Sequence, residues 1–148
     1  MAIYGCEAWT PLEADIKRLL AFEMACYRKI LNIPWTAKVT NEEVRLRLNI
    51  TCSHLFKHFK KQKLSYFGHI KRHSTLEKTV LEGRVEGKRK RGRPRRRWVD
   101  DIAEWMKMSV VKAGGLALDR EAYRRSVWAA TRRETIFGPV SNIADGAG

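Results

Sequence analysis

Apolar residues recur at three- and four-residue steps along most of the chain, which is the spacing of helices that bury one face. In the first such stretch, Thr10, Pro11 and Glu13 predict the start of a helix, with Thr10 as N-cap and Glu13 closing a capping box. This helix should end before Pro34, because proline disfavours helical backbone in the residue that precedes it. Its apolar positions are Ile16, Leu19, Leu20, Met24, Tyr27 and Leu31.

A long third helix is predicted from about Ser53, after a short second helix that begins with a capping box at Thr40 and Glu43. The third helix is amphipathic, and its polar face contains no acidic residue. Gly68 lies on this helix, where the missing side chain suits close packing against another helix. The apolar face holds Phe56, Phe59, Leu64, Phe67 and Ile70. The polar face is supplied by Lys57, Lys60, Lys61, Lys63, Lys71 and Arg72.

Two more helices are predicted near the C-terminal end of the chain. Trp98, Ile102 and Trp105 share one helical face, which indicates a buried apolar stripe. The glycine pair at 114–115 predicts a break, because glycine destabilises a helix interior. A last helix should begin after an N-cap at Asp119. Most of the five tryptophans are expected to anchor the core.

Basic residues are concentrated in one stretch of the 148-residue chain, whose net charge is +14. Residues 54–97 contain 16 Lys or Arg and 3 acids, whereas the rest of the chain has a net charge of +1. The segment KRKRGRPRRR, residues 88–97 and here termed the basic segment, holds eight cations in ten positions. Such a density predicts binding to a polyanion. The residues predicted to contact nucleic acid are Lys88, Arg89, Lys90, Arg91, Gly92, Arg93, Pro94, Arg95, Arg96 and Arg97, with Lys57, Lys60, Lys61 and Lys63 as a second patch.

Arg91, Gly92, Arg93 and Pro94 form the core of an AT-hook, a motif in which arginine enters the narrow minor groove of A·T-rich DNA. Lys90 departs from the motif, because AT-hooks commonly have a proline at that position. Three interpretations of the basic segment therefore stay open. The first is a preference for A·T-rich minor grooves, and the second is phosphate contact along DNA or RNA with little sequence preference. The third is an import signal and nothing else.

Cysteine usage and the basic segment predict the compartment. Cys6, Cys26 and Cys52 are odd in number and far apart in sequence, which suits reduced thiols in an intracellular protein better than a disulfide framework. KRKR and RPRRR also have the composition of import signals, so we expect a nuclear location. The opening apolar run is too short to cross a bilayer, and no membrane partner is expected.

Six strings of residues, in a fixed order, resemble the C-terminal part of the endonuclease-reverse transcriptases encoded by non-LTR (LINE-type) retrotransposons. The resemblance covers roughly residues 3 to 127. The strings are IYGCEAW, FEMACYRKIL followed by VTNEEV, YFGHIKR, LEKTVLEGRVEGKRKRGRPRRRWVDDIAEWM, and DREAYRR.

This resemblance implies a thumb-like helical bundle and a basic C-terminal extension that grips nucleic acid: DNA, RNA or a hybrid duplex. In the family, the polymerase palm and the endonuclease precede this part, so we expect a fragment without catalytic residues whose partner is the missing palm domain. The parent enzyme would be an RNA-directed DNA polymerase. We divide the chain into a residual palm–thumb junction (1–9), a thumb-like helical region (10–82), a basic flexible linker with the AT-hook-like core (83–97), a C-terminal helical pair (98–134) and a disordered tail (135–148).

Neither the acidic pair in WVDD nor the histidines predict catalysis or metal binding. Reverse transcriptases carry an aromatic-x-Asp-Asp box, but that box lies on a β-hairpin and needs a third carboxylate to hold two metal ions. Asp100 and Asp101 fall in a predicted helix, where they suit the positive end of the helix dipole. Histidines spaced four apart occur twice, but the two pairs lie about 22 Å apart along one helix. We expect no cofactor and no metal.

Two other functions remain compatible with the sequence. The first is a free-standing chromatin protein, derived from a retrotransposon, that binds A·T-rich DNA through the AT-hook-like core. The second is a protein-interaction module whose basic segment is only a nuclear import signal.

Overall fold

The computed structural model describes residues 3–73, 76–81, 91–92 and 96–132, with the backbone alone at Trp35 and Leu81. Over these ranges the protein is mostly α-helical and contains no strand, which confirms the predicted fold class. Of the predicted disordered loop and tail, residues 83–90, 93–95 and 135–148 lie outside the described residues. The helices are α1 (Glu13–Ile30), α2 (Asn41–Arg47), α3 (His54–Arg72), α4 (Leu76–Leu81), α5 (Trp98–Met106), α6 (Val110–Leu116) and α7 (Arg120–Arg132), with short 3₁₀ helices at Cys6–Ala8 and Trp35–Ala37.

The helix starts test the predicted caps one by one. The cap at Thr40 is confirmed, since its hydroxyl accepts a hydrogen bond from the Glu43 backbone N–H at 3.2 Å. The predicted start at Thr10 is wrong. Helix α1 begins two residues later, with Leu12 as N-cap, because the Asp15 carboxylate accepts from the Leu12 backbone N–H at 3.1 Å.

No helix among the described residues is long and apolar enough to cross a membrane.

The chain forms two compact units. The first comprises Met1–Pro11 and His58–Arg133, and the described part of the second is Leu12–Lys57. In the second unit, α1 packs against α2, and Met24 and Val44 are buried.

Glu23 organises the second unit through a buried carboxylate. Its two oxygens accept hydrogen bonds from the Ser53 hydroxyl, from the His54 backbone N–H at 2.7 Å and from the Leu55 backbone N–H at 3.0 Å. The Tyr27 hydroxyl donates to the same carboxylate at 2.7 Å. A side chain of α1 therefore satisfies the free N–H groups at the start of α3, where negative charge is favoured by the helix dipole.

Aromatic side chains form the core of the first unit, where α5, α6 and α7 pack on one another. Phe67 of α3 stacks on Trp98 of α5, with ring centroids 6.3 Å apart, and Phe59 meets Trp105 edge to face at 5.7 Å. The Trp98 indole N–H donates to the Glu7 backbone carbonyl at 2.8 Å. The predicted apolar faces of α3 and α5 are thus confirmed as buried, because Phe56, Phe59, Leu64, Phe67, Ile70, Trp98, Ile102 and Trp105 are all buried.

Gly68 allows α3 to approach α7, as predicted from the sequence. A Cβ atom at this position would lie 2.5 Å from Cε1 of Tyr123, a buried side chain whose hydroxyl donates to the Leu64 carbonyl at 2.7 Å. The predicted break at Gly114 and Gly115 is wrong, since both residues lie inside α6. The first of these glycines again provides room, because a Cβ there would lie 3.3 Å from Cε of Lys71.

Two glycine substitutions test this packing. Gly68→Ala should lower the free energy of unfolding by at least about 2 kcal/mol, because the methyl group would overlap a buried ring that cannot move freely. Gly115→Ala is the matched control, since nothing lies within 4 Å of its Cβ position. That substitution should raise stability by about 0.5–1 kcal/mol, because alanine is the better helix former. Urea denaturation measures both, and equal effects would contradict the packing role of Gly68.

Candidate nucleic-acid interface

The structure describes four residues of the basic segment: Arg91, Gly92, Arg96 and Arg97. The remaining predicted contact residues, Lys88, Arg89, Lys90, Arg93, Pro94 and Arg95, lie outside the described residues. Arg91 is exposed, and Gly92 beside it has a φ of 141°, a backbone conformation that side chains rarely adopt. The centre of the AT-hook-like core therefore needs its glycine.

Arg96 attaches the end of the basic segment to α5. Its Nε donates to Asp101 Oδ1 at 2.6 Å, and its terminal nitrogen donates to Glu104. Hydrogen bonds to Glu104 and Asp101 raise the pKa of the Arg96 guanidinium. Arg96, which was predicted to contact phosphate or the groove, therefore already pairs with two carboxylates. Arg97 remains exposed, and its backbone N–H donates to Asp100 Oδ2 at 2.7 Å at the start of α5.

Lys63 does not lie on an exposed basic face. Its inclusion in the second predicted patch is wrong, because the residue is buried. Its side chain is 0 % exposed, and its ammonium donates to Asp101 Oδ2 and to the Trp9 carbonyl at 2.7 Å. The ammonium nitrogen also lies 5.0 Å from the ring centroid of Trp98, within range of a cation–π contact. Burial lowers the pKa of Lys63, while the Asp101 carboxylate opposes that shift.

Lys60 is buried as well, with only 3 % of the residue exposed, and its nitrogen lies 5.3 Å from the Trp105 ring centroid. It too is a correction to the predicted patch. Lys57 and Lys61 are exposed, as the sequence predicted. Of the four lysines proposed from α3, two are exposed and two are buried.

Lys63, Asp101, Arg96 and Glu104 form a cluster with two positive and two negative charges, here termed the anchor cluster. Asp101 lies at its centre and is fully buried. The interpretation of Asp101 as local charge compensation fits this geometry, whereas sequence reasoning missed its partner 38 residues earlier on α3. The cluster fixes the last turn of chain before α5, directly after the basic segment.

The positive charge of the protein belongs to the first unit. That unit contains 22 of the 30 Lys and Arg but only 9 of the 16 acids, so its net charge is +13. The rest of the chain has a net charge of +1. Helix α7 adds exposed arginines that sequence reasoning did not select, at positions 124, 125 and 132. The sequence could have identified these arginines, because they recur at helical spacing on the polar side of α7.

A surface cleft of about 530 Å³ lies on the opposite side of α3 from its buried face. Tyr4, His58, Gln62, Tyr66 and His69 are among its lining residues. None of the described residues that line it is Lys or Arg.

The histidines of α3 do not form a metal site within the described part of the chain. His69 and His73 have ring centroids 4.4 Å apart, but no group of three or more possible ligands occurs among the described residues.

Cys6, Cys26 and Cys52 are free thiols, and burial raises the pKa of Cys6.

Comparisons with known proteins give no assignment. No protein-family model matches the chain, and no curated protein and no solved structure matches it. The resemblance to retrotransposon reverse transcriptases therefore remains a prediction from the sequence.

Proposed function

We propose that this protein binds nucleic acid through its sugar-phosphate backbone, and that the basic segment supplies most of the contact. The observation that carries the proposal is the net charge of the first unit, which contains 22 Lys and Arg but only 9 acids. A surface with this excess attracts phosphate and releases the counterions condensed on it. The proposal does not depend on Arg96, Lys60 or Lys63, whose side chains have other roles.

The anchor cluster supports the proposal by holding one end of the basic segment. The segment ends at Arg97, directly before Trp98, which is buried and hydrogen-bonded to Glu7. Arg96, two residues before Trp98, donates a hydrogen bond to Asp101 in the first turn of α5. Because one end is fixed to a folded helix, fewer degrees of freedom are lost when the cations meet phosphate.

We place this activity in the C-terminal extension of a LINE-type reverse transcriptase, where it would grip template, primer or target duplex in the nucleus. The palm domain of the parent polymerase would carry the catalytic aspartates. Asp100 and Asp101 do not substitute for them: the first accepts from the Arg97 backbone N–H, and the second is buried between Lys63 and Arg96. The chain alone should not polymerise DNA.

One observation favours a second candidate, an AT-hook-type chromatin protein. Gly92 is exposed in a conformation that favours glycine, and an Arg-Gly-Arg core needs such a glycine to enter a minor groove. A protein-interaction module with an import signal is the remaining alternative, and it predicts negligible binding to nucleic acid.

Fluorescence anisotropy with labelled 20-base-pair duplexes separates these functions. We expect binding at about 0.1 M salt to A·T-rich DNA, G·C-rich DNA and an RNA–DNA hybrid, with affinities within a few-fold of one another, because phosphate contacts carry no sequence information. A clear preference for A·T-rich DNA would favour the AT-hook function instead. Absence of binding to all three would refute the proposal and leave the interaction module.

A further inference from the structure

Helix α7 presents an exposed tryptophan among arginines. Trp128 is 61 % exposed, although tryptophan is on average a highly buried residue. The apolar contacts of α7 with the rest of the unit come from Tyr123 and Val127, which are both buried. At about 100° per residue, Trp128 falls on the side of the helix away from them.

Three arginines share that side of α7. Arg124 and Arg125 lie one turn before Trp128, and Arg132 lies one turn after it, so that cations flank the indole at both ends. The Arg132 guanidinium carbon lies 4.5 Å from the Trp128 ring centroid, a cation–π contact. Glu121 is the one acidic residue of α7, and no ion pair joins it to these arginines within the described chain.

We propose that this face binds single-stranded nucleic acid, with an unpaired base stacked on Trp128 and neighbouring phosphates contacted by Arg124, Arg125 and Arg132. The inference rests on the proposed function and adds a second site with a different ligand preference. Aromatic rings flanked by cations are the elements from which single-strand sites are built, because every base offers a face for stacking.

Charge and shape favour a single strand over the other possible occupants. In a duplex the base faces are covered by their neighbours, so Trp128 could stack only at an end or by separating adjacent base pairs. A symmetric contact with a second copy would bring the three arginines against the same three arginines, which costs energy through like-charge repulsion. A polyanion with free aromatic faces satisfies both Trp128 and its arginines.

The geometry also indicates how stacking would occur. The Arg132 guanidinium lies over one face of the indole and Trp128 is 61 % exposed, so the base is placed on the opposite face. Stacking there would leave the cation–π contact in place, so that base, indole and guanidinium form three layers. Arg124 and Arg125 then lie about 6 Å and about 4.5 Å away along the helix axis, one turn towards the N-terminus of α7.

The test compares Trp128→Ala, Trp128→Phe and the wild type for binding to a labelled 12-nucleotide single strand and to a duplex of the same length. We expect Trp128→Ala to weaken single-strand binding about 10-fold and duplex binding less than about 2-fold. Trp128→Phe should retain most single-strand affinity, because phenylalanine still offers a ring. Leu118→Ala is the matched control, since it removes another exposed apolar side chain of the same unit and should change neither affinity.

The possible results separate this inference from the proposed function. If the wild type binds neither oligonucleotide, both are refuted. If it binds duplex but Trp128→Ala leaves the ratio of single-strand to duplex affinity unchanged, the inference alone fails. Analytical ultracentrifugation adds one further outcome, because a wild-type dimer that Trp128→Ala dissociates would make this face a self-association surface and overturn the inference.

Discussion

Replacing Asp101 with alanine is expected to lower the free energy of unfolding by about 3–5 kcal/mol, because Lys63 would remain as a buried ammonium without its carboxylate. The Trp9 carbonyl and the two tryptophan rings would be its remaining partners. Urea denaturation followed by circular dichroism measures the loss. A change smaller than about 1 kcal/mol would contradict the role given to the anchor cluster.

A matched pair of variants separates lost charge pairing from lost packing. Lys63→Met should cost less than Asp101→Ala, because it removes the buried charge and leaves Asp101 paired with Arg96 at 2.6 Å. The double variant should be more stable than Asp101→Ala alone, since neither unpaired charge remains buried. A double variant as unstable as the sum of the two single variants would show that the groups do not interact.

The pH dependence of Asp101→Ala follows from the pKa of Lys63. Burial lowers this pKa below its ordinary value of 10.5, and the variant loses the carboxylate that opposes the shift. Just below pH 10.5 the unfolded chain therefore binds more protons than the folded one, and stability rises with pH. We expect Asp101→Ala to recover part of its lost stability, relative to the wild type, as the pH rises towards 10.5.

Neutralising the first half of the basic segment is expected to weaken duplex binding about 100-fold at 0.1 M salt. The variant replaces Lys88, Arg89, Lys90 and Arg91 with glutamine. Each phosphate contact contributes about 0.9 log units of affinity at this salt through counterion release, so the loss of two contacts is enough. Anisotropy titrations with a labelled duplex measure the change.

The second unit offers the matched control for this substitution. Lys17, Arg18, Lys29 and Lys38 are exposed cations of that unit, and replacing them with glutamine removes the same formal charge. Long-range electrostatics alone would weaken binding similarly in both variants. We expect the control to lose less than about 3-fold, because contact with phosphate, rather than net charge, supplies most of the affinity.

The interior of α3 was predictable only in part, and the errors have one physical cause. Spacing identified Phe59 and Phe67 as core residues. The same spacing places Lys60 and Lys63 at the centre of that face, but side-chain type indicated exposure, because lysine is rarely buried without a partner. The partner of Lys63 is Asp101, which lies 38 residues away, and no local pattern reveals a pairing over that distance.

Helix ends and α7 illustrate the same limit. The cap at Thr40 depends on a residue three positions away and was predicted. At the start of α3, Ser53 caps the Phe56 N–H locally, but the His54 and Leu55 N–H groups donate to Glu23 on another helix, and that partner was not predicted. Most of the five tryptophans were expected in the core, yet Trp128 is exposed, because the spacing of α7 places it away from the buried Tyr123 and Val127. Caps formed within one turn were predictable in part, at Thr40 but not at Thr10, whereas contacts between helices need the fold.

The salt dependence of duplex binding tests the central claim most directly. If about five cations of the wild type meet phosphates, the slope of log affinity against log salt should be near −4.5. The variant neutralised at positions 88–91 should have a slope of about −3 or shallower, while the four-cation control of the second unit keeps the wild-type slope. Wild-type binding that does not change between about 0.05 and 0.2 M salt, or equal slopes for the wild type and the neutralised variant, would contradict the account.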